Sequence, residues 1–267
     1  MSHTLFMENL DNRIISANSQ DTVRISTEEA EEFRAYKRFR KIAELTGAIA
    51  RSSTPINGIE DMKRLVERAV RFHQAAVKVS PAQLAEVKTY LAKSKVKVDC
   101  MIGGSGETAA KVKAYEARFA RRAGASELTL VLSPSAILTS RYGEIQKEIQ
   151  RVKRAAKGAR LKVWLDKKYP FPTLARMARL CSDMGVSYVS VPYFAGCERL
   201  RYDLFRNCGL EVSEVDTFAD FKKMAGAGVE RIVTSRVSDI HAAWMKEIDT
   251  VTSEGEKKIE NAGLKMI

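Results

Sequence analysis

Two lysines of this chain lie inside short apolar runs, where a charged side chain is unusual. Lys78 stands in AAVKVSP and Lys162 in LKVWLD. Removal from water and a second cation nearby both favour the neutral amine, and a neutral amine condenses with a carbonyl carbon to form a Schiff base. Strand alternation puts Asp166 on the same side as Lys162, where a carboxylate can transfer protons. We therefore name Lys78 as the candidate nucleophile and Asp166 as the proton-transfer group.

A structural role is the alternative for both lysines. A buried lysine is costly unless it is paired or used in chemistry, and an ion pair with a carboxylate such as Asp99 would satisfy Lys78. Lys162 would then be a structural or substrate-polarising charge. No metal and no cofactor are expected, because the cysteines form no CxxC pair and lie near no histidine. We expect buried, reduced thiols at all four cysteines, which are Cys100, Cys181, Cys197 and Cys208.

The formal net charge of +12 in 267 residues raises the question of an anionic partner. The basic residues follow helical segments such as EFRAYKRFRKIAEL and EIQKEIQRVKRAAKGARLK, in which glutamates are interleaved. This pattern is typical of a solvated helix face, and the sequence contains no motif for binding RNA or DNA. A nucleic-acid partner is therefore not expected, and a positive field for an anionic ligand stays the alternative.

The composition is that of a soluble globular domain, with 45% hydrophobic and 29% charged residues. No apolar run approaches the roughly 18 residues that span a bilayer. The N-terminal MSHTLFMENLDNRIISANSQ lacks the apolar segment of a signal peptide. We expect a cytoplasmic protein without a membrane partner.

Short β-rich runs alternate with amphipathic helical stretches along the chain. Seven runs predict strands, and an earlier strand is expected near GAIARS, residues 47–52. The helices predicted over 108–124 and 173–185 end in glycine, as helix C-termini often do. Eight β/α units in about 200 residues, with short connections, favour a closed barrel of parallel strands over an open sheet. The seven runs are 75–80, 96–103, 127–132, 161–166, 186–191, 209–212 and 230–235.

The predicted fold class is thus α/β, a (β/α)8 TIM barrel with an N-terminal helical extension. We assign residues 1–40 to the extension, 41–250 to the barrel and 251–267 to a C-terminal tail. GGSGE, residues 103–107, is a glycine-rich turn after the third strand. It fits a plain strand-to-helix turn, and a phosphate cradle is the alternative.

Several of these runs resemble the deoxyribose-phosphate aldolase family of Schiff-base-forming class I aldolases. AAVKVSP is similar to the second strand of that family, LKVWLD to the fifth and MGVSYVSV to the sixth. VKVDCMIGG and ASELTLVL resemble the third and fourth strands, and GVERIVTS resembles the eighth. The similarity covers residues 42–240 and independently implies a TIM barrel. It matches Lys78 to an inward cysteine of the family's second strand and Lys162 to a lysine of its fifth strand, which implies that Lys78 faces the barrel interior and that Lys162 is its neighbouring cation.

The resemblance also locates the family's catalytic positions, and this chain departs from them. Ser190 matches the Schiff-base lysine of the sixth strand, Leu210 the second lysine of the seventh strand, and Thr129 the aspartate of the fourth strand. Ser235 of the eighth-strand motif remains, and the guanidinium of Arg236 is suited to contact phosphate. We assign Ser190, Thr129, Ser235 and Arg236 to substrate binding.

Two functions remain open from the sequence. The first is an aldolase-like lyase that acts on a small aldehyde, ketone or sugar-phosphate-type substrate through a relocated Schiff-base lysine, Lys78. The second is a non-catalytic barrel that binds a metabolite or a protein partner, with Lys78 in an ion pair. A small-molecule carbonyl compound is the expected partner, and homo-oligomer formation stays open.

Overall fold

Eight parallel strands close into one barrel, in which each strand is hydrogen-bonded to the next and the last to the first. The computed structural model describes residues 7–9, 27–56, 62–91, 93–205 and 207–261. The predicted (β/α)8 TIM barrel is confirmed. The strands are β1 Ser52–Pro55, β2 Ala76–Val79, β3 Lys97–Ile102, β4 Glu127–Val131, β5 Arg160–Trp164, β6 Tyr188–Pro192, β7 Gly209–Ser213 and β8 Arg231–Val233.

Helices connect successive strands along the chain. Two of the predicted helix ends are confirmed, because Gly124 and Gly185 follow helices with φ angles of 102° and 66°, which favour glycine. Short 3-10 helices lie at Pro81–Gln83 and Cys197–Asp203. The helices are α1 Thr27–Ala50, α2 Met62–Arg71, α3 Leu84–Leu91, α4 Ala110–Arg122, α5 Pro134–Leu138, α6 Tyr142–Ala155, α7 Phe171–Asp183, α8 Phe218–Gly226 and α9 Val237–Asn261.

The first strand lies later in the chain than GAIARS predicts. Alanine favours helix, and α1 continues through Ala50. The strand begins at Ser52, where Ser53 comes into register with Ala76 of β2. The difference therefore reflects helix propensity at the junction.

The GGSGE turn is held by the protein's own groups. The Gly103 N–H donates to the Glu116 carboxylate at 2.7 Å. The buried Lys113 ammonium donates to the carbonyl oxygens of Gly106 and Val131, at 2.5 and 2.9 Å. These contacts favour the plain turn over the phosphate cradle.

The chain divides into two compact units. One unit, Ala48–Ile240, contains the barrel. In the other, formed by residues up to Gly47 and from His241 onward, Phe33 and Met7 are buried together and Arg38 pairs with Asp249 at 2.8 Å. The predicted three-part division of the chain stays a prediction. Of the residues described, none belongs to a helix long and apolar enough to cross a membrane.

Candidate functional site

The barrel interior holds an unusual concentration of charge. The strands alternate, so apolar side chains such as Val77, Val163 and Leu210 face outward beneath the helices while their neighbours face inward. Because burying an unpaired ion costs several kcal/mol, these inward charges need partners. We call the inward cations and anions the charged core; its three cations are Lys78, Lys162 and Arg231, and its three anions are Asp99, Glu127 and Glu211.

Glu211 of β7 connects the two lysines of the charged core. Its Oε1 accepts hydrogen bonds from Lys78 Nζ at 2.6 Å and from the Ser190 hydroxyl at 2.8 Å. Its Oε2 accepts one from Lys162 Nζ at 2.6 Å. Burial opposes the charged carboxylate, but the two ammonium groups outweigh burial and lower the pKa of Glu211 well below its usual range. Glu211 is therefore ionised at neutral pH.

Lys162 of β5 is surrounded by carboxylates. Its Nζ lies 3.0 Å from Asp99 Oδ2, 2.7 Å from Glu127 Oε2 and 2.6 Å from Glu211 Oε2. Burial opposes the ammonium form, but these three carboxylates raise the pKa of Lys162 above its usual value. Lys162 is thus positively charged at neutral pH, and its role beside Lys78 stays a prediction.

Lys78 of β2 is buried, but less completely than Lys162. Its side chain is 8% exposed, whereas that of Lys162 is 0% exposed. Lys78 Nζ is 3.7 Å from Asp99 Oδ2, so Glu211 is its closer partner. The sequence left open a structural role for Lys78, in an ion pair with a carboxylate such as Asp99. In the structure, Lys78 contacts both Asp99 and Glu211.

Arg231 and Glu127 extend the charged core beyond Lys162. Their side chains form a two-pronged pair, with Nη1–Oε2 and Nη2–Oε1 distances of 3.2 and 3.1 Å. Arg231 also donates to Ser53 Oγ at 2.9 Å. Arg231 and Lys162 both lie over the Tyr188 ring, at 5.5 and 5.4 Å from its centroid. This network neutralises every charge of the core.

Sequence reasoning missed Glu127, Glu211 and Arg231, although the signal was present. Each is a charged residue within a strand run, the same feature that singled out Lys78 and Lys162. The match of Leu210 to the second lysine of the family stays a prediction. Leu210 faces outward, and Glu211, the next residue, faces the core because successive side chains alternate.

The structure brings two of the predicted substrate-binding residues to the charged core. Ser190 lies beside Glu211 on the neighbouring strand and donates to it. The Thr129 hydroxyl contacts both oxygens of Asp99, at 2.9 and 3.0 Å. Thr129 therefore orients a carboxylate of the core.

The other three predicted site residues make contacts outside the charged core; they are Asp166, Ser235 and Arg236. Asp166 accepts from the Lys168 N–H at 3.0 Å; slight burial opposes its charge, but contacts with Lys168 lower the pKa of Asp166. Strand alternation does not carry Asp166 to the core, because β5 ends at Trp164. Ser235 donates to Asp216 through its N–H and hydroxyl, and Arg236 donates to Asp239.

The cysteines are buried and free, as expected. Burial, with a contribution from Asp99, raises the pKa of the Cys100 thiol to about 12. Burial likewise raises the pKa of Cys208 to about 11. Thiols of this kind are poor nucleophiles at neutral pH.

We expect the free energy of unfolding to decrease as the pH falls below the ordinary glutamate value of 4.5. The lowered pKa values of Glu211 and Glu127 contribute stability that is present above pH 4.5 and is lost as the pH falls through their folded-state values. Urea denaturation at pH 7, 4 and 3 measures this change. The Glu211→Gln variant should show a shallower acid dependence, and equal stability of the parent at pH 7 and 3 would contradict the prediction.

No family model matches the chain. The deoxyribose-phosphate aldolase of Carboxydothermus hydrogenoformans is 30% identical over 190 residues, which cover 66% of this chain and 83% of that protein. Among solved structures, a protein from Coccidioides immitis described as a deoxyribose-phosphate aldolase is similar with a TM-score of 0.70 and 23% identity, over 85% of this chain and 98% of that one. The deoxyribose-phosphate aldolase of Aeropyrum pernix, described as tetrameric, has a TM-score of 0.64 and 20% identity, over 79% and 97%.

Proposed function

Since the chain belongs to the deoxyribose-phosphate aldolase family, we propose that it is an aldolase-like lyase that makes or breaks a carbon–carbon bond. Its substrate is a small aldehyde, ketone or sugar-phosphate-type compound, and Lys78 is its Schiff-base residue. One observation carries this assignment. Lys78 is the less enclosed of the two lysines of the charged core, with 8% of its side chain exposed against 0% for Lys162, and this difference favours Lys78 as the amine that meets a carbonyl compound.

The chemistry assigns separate tasks to the two lysines. The Lys78 ammonium loses a proton to solvent and its nitrogen attacks the carbonyl carbon; the carbonyl oxygen takes one proton from that nitrogen and one from solvent and leaves as water. The resulting iminium accepts the electron pair of the carbon–carbon bond that breaks and becomes an enamine, while the hydroxyl of the departing fragment gives its proton to solvent and becomes an aldehyde carbonyl. Protonation of the enamine carbon by solvent and hydrolysis of the imine by water then free Lys78. Glu211 stays ionised throughout, because Lys162 binds its other oxygen. The Ser190 hydroxyl donates its proton to Glu211 Oε1 beside Lys78, and its oxygen is free to accept a hydrogen bond from a substrate hydroxyl.

A barrel that binds a metabolite or a protein partner without chemistry is the second candidate. It is favoured by the 2.6 Å contact between Lys78 Nζ and Glu211 Oε1. An ammonium in such a pair has no lone pair with which to attack a carbonyl carbon. The two candidates therefore differ in whether Lys78 can form an imine.

Assembly and location complete the proposal. We propose a homo-oligomer, by analogy with the Aeropyrum pernix neighbour described as tetrameric. We also propose a cytoplasmic location, on the basis of a composition typical of a globular domain in water.

We expect no meaningful turnover of deoxyribose 5-phosphate by the purified protein. The resemblance puts Ser190 and Thr129 at catalytic positions of the family, and on β7 the inward residue is the anion Glu211 instead of a lysine. Loss of a covalent nucleophile typically removes several orders of magnitude in rate. Aldehyde release from deoxyribose 5-phosphate measures this activity, and an active family member serves as the positive control. A turnover number of about 1–1000 per second, the usual enzyme range, would show that the family's chemistry is intact.

A further inference from the structure

Basic side chains line a groove on the outside of the barrel, between α4 and α6. Its volume is about 640 Å³. Among the residues that the structure describes, no acidic residue lines the groove, whereas seven of the 45 lysine and arginine residues of the chain do. We call this feature the basic groove; its charged residues are Lys111, Arg118, Arg121, Arg122, Arg151, Arg154 and Lys157.

The charges of the basic groove are not neutralised by the protein. Within the described part of the chain, none of the seven has a carboxylate within 4.0 Å, whereas other surface cations do, such as Lys167 with Glu214 at 2.8 Å. The glutamates interleaved in this region point elsewhere. Glu148 pairs with the buried Lys113, and Glu144 pairs with Arg141. The groove therefore carries an uncompensated positive field, which attracts anions.

Exposed aromatic side chains adjoin these charges on α4. Tyr115 and Phe119 are 69% and 50% exposed, although each has a large apolar ring. They lie four residues apart and so share one helix face. Arg118 and Arg122, also four residues apart, lie on the adjoining face toward the groove. Cations beside an aromatic pair match a ligand that has both negative charge and flat apolar faces.

We propose that the basic groove and the Tyr115–Phe119 pair bind single-stranded nucleic acid. The phosphodiester backbone lies along the basic groove, and unpaired bases stack on Tyr115 and Phe119. Helices of 13 and 14 residues are about 20 Å long, which suits a site of a few nucleotides. Basic grooves that follow the backbone, next to aromatic rings that stack bases, are how proteins bind single strands without sequence preference.

The first test is fluorescence anisotropy of a labelled 12-nucleotide single strand of mixed sequence, with the full chain in low salt. The parent should bind in the micromolar range that is usual for non-specific contacts. The double variant Arg118→Gln/Arg151→Gln should bind the strand on the order of tenfold more weakly. The slope of the logarithm of the binding constant against the logarithm of the salt concentration should become shallower by about 1.4, or about 0.7 for each lost phosphate contact. Lys63→Gln with Arg64→Gln, which removes two exposed charges from α2, is the matched control and should change affinity less than about twofold.

The second test separates nucleic acid from other polyanions. Tyr115→Ala with Phe119→Ala should weaken oligonucleotide binding on the order of tenfold and leave binding of inorganic polyphosphate unchanged; Tyr202→Ala, at a 90% exposed tyrosine, is the control. Three results would overturn the proposal. In the first, the parent does not bind the oligonucleotide. In the second, the groove variant and its control lose the same affinity for the oligonucleotide. In the third, the aromatic substitutions weaken binding of polyphosphate as much as binding of the oligonucleotide. Binding to phosphatidylserine vesicles without binding to oligonucleotide would also overturn it.

Discussion

Borohydride reduction of the protein in the presence of a short aldehyde or 2-oxoacid is expected to fix a covalent label on Lys78. Reduction converts the imine between Lys78 and the carbonyl carbon into a stable amine, which peptide mass mapping locates. Lys162 should stay unlabelled, because its side chain is fully buried among three carboxylates that raise its pKa. A panel of carbonyl compounds is needed, since the substrate class is broad.

The matched variant for this experiment is Lys78→Arg. A guanidinium preserves the positive charge beside Glu211 but does not form the imine, so the fold is maintained while the chemistry is lost. Labelling and any carbon–carbon lyase activity should fall on the order of a thousandfold or more. Lys78→Met removes both the amine and the charge, and should abolish labelling as well. Label on another lysine, or no label with any compound of the panel, would favour the binding barrel.

Replacement of Lys162 by methionine is expected to cause the largest loss of stability. The substitution keeps the approximate length of the side chain and removes the cation that contacts Asp99, Glu127 and Glu211. Removal of one partner of a buried ion pair typically lowers the free energy of unfolding by about 3–5 kcal/mol, because the remaining charge has no partner. With a total stability of about 5–15 kcal/mol for an ordinary domain, the variant will be close to unfolding. Urea denaturation measures the change in free energy.

Lys167→Met is the matched control for Lys162→Met. Lys167 also pairs with a glutamate, Glu214, at 2.8 Å, but both side chains are about half exposed. Exposed pairs of this kind contribute about 0–1 kcal/mol. Addition of Glu211→Gln to Lys162→Met should recover part of the lost stability, since it removes one uncompensated anion. If the buried and the exposed lysine variants lose the same free energy of unfolding, the charged core does not stabilise the fold as proposed.

Sequence patterns alone were sufficient to predict the barrel and the presence of charged side chains in its interior. Apolar, β-branched runs alternate with amphipathic helices, and local propensity is sufficient to place strands and helices within a few residues. Strand alternation correctly put Lys78 and Lys162 on inward positions, because the side-chain period of a strand is independent of what the strand packs against. The same rule does not apply to Asp166, which lies beyond the end of β5.

Which charged side chains contact each other depends on the folded chain. Lys78 and Glu211 are 133 positions apart, and closure of the barrel brings β2 and β7 to face each other across its interior. Likewise, the cations of α4 and α6 are each interleaved with glutamates along the chain, as on a solvated face. Packing of the two helices side by side turns Glu148 inward to Lys113 and leaves the cations together in the basic groove. Sequence patterns report the period of each element, whereas electrostatic partners depend on distances between elements, and those distances exist only in the folded chain.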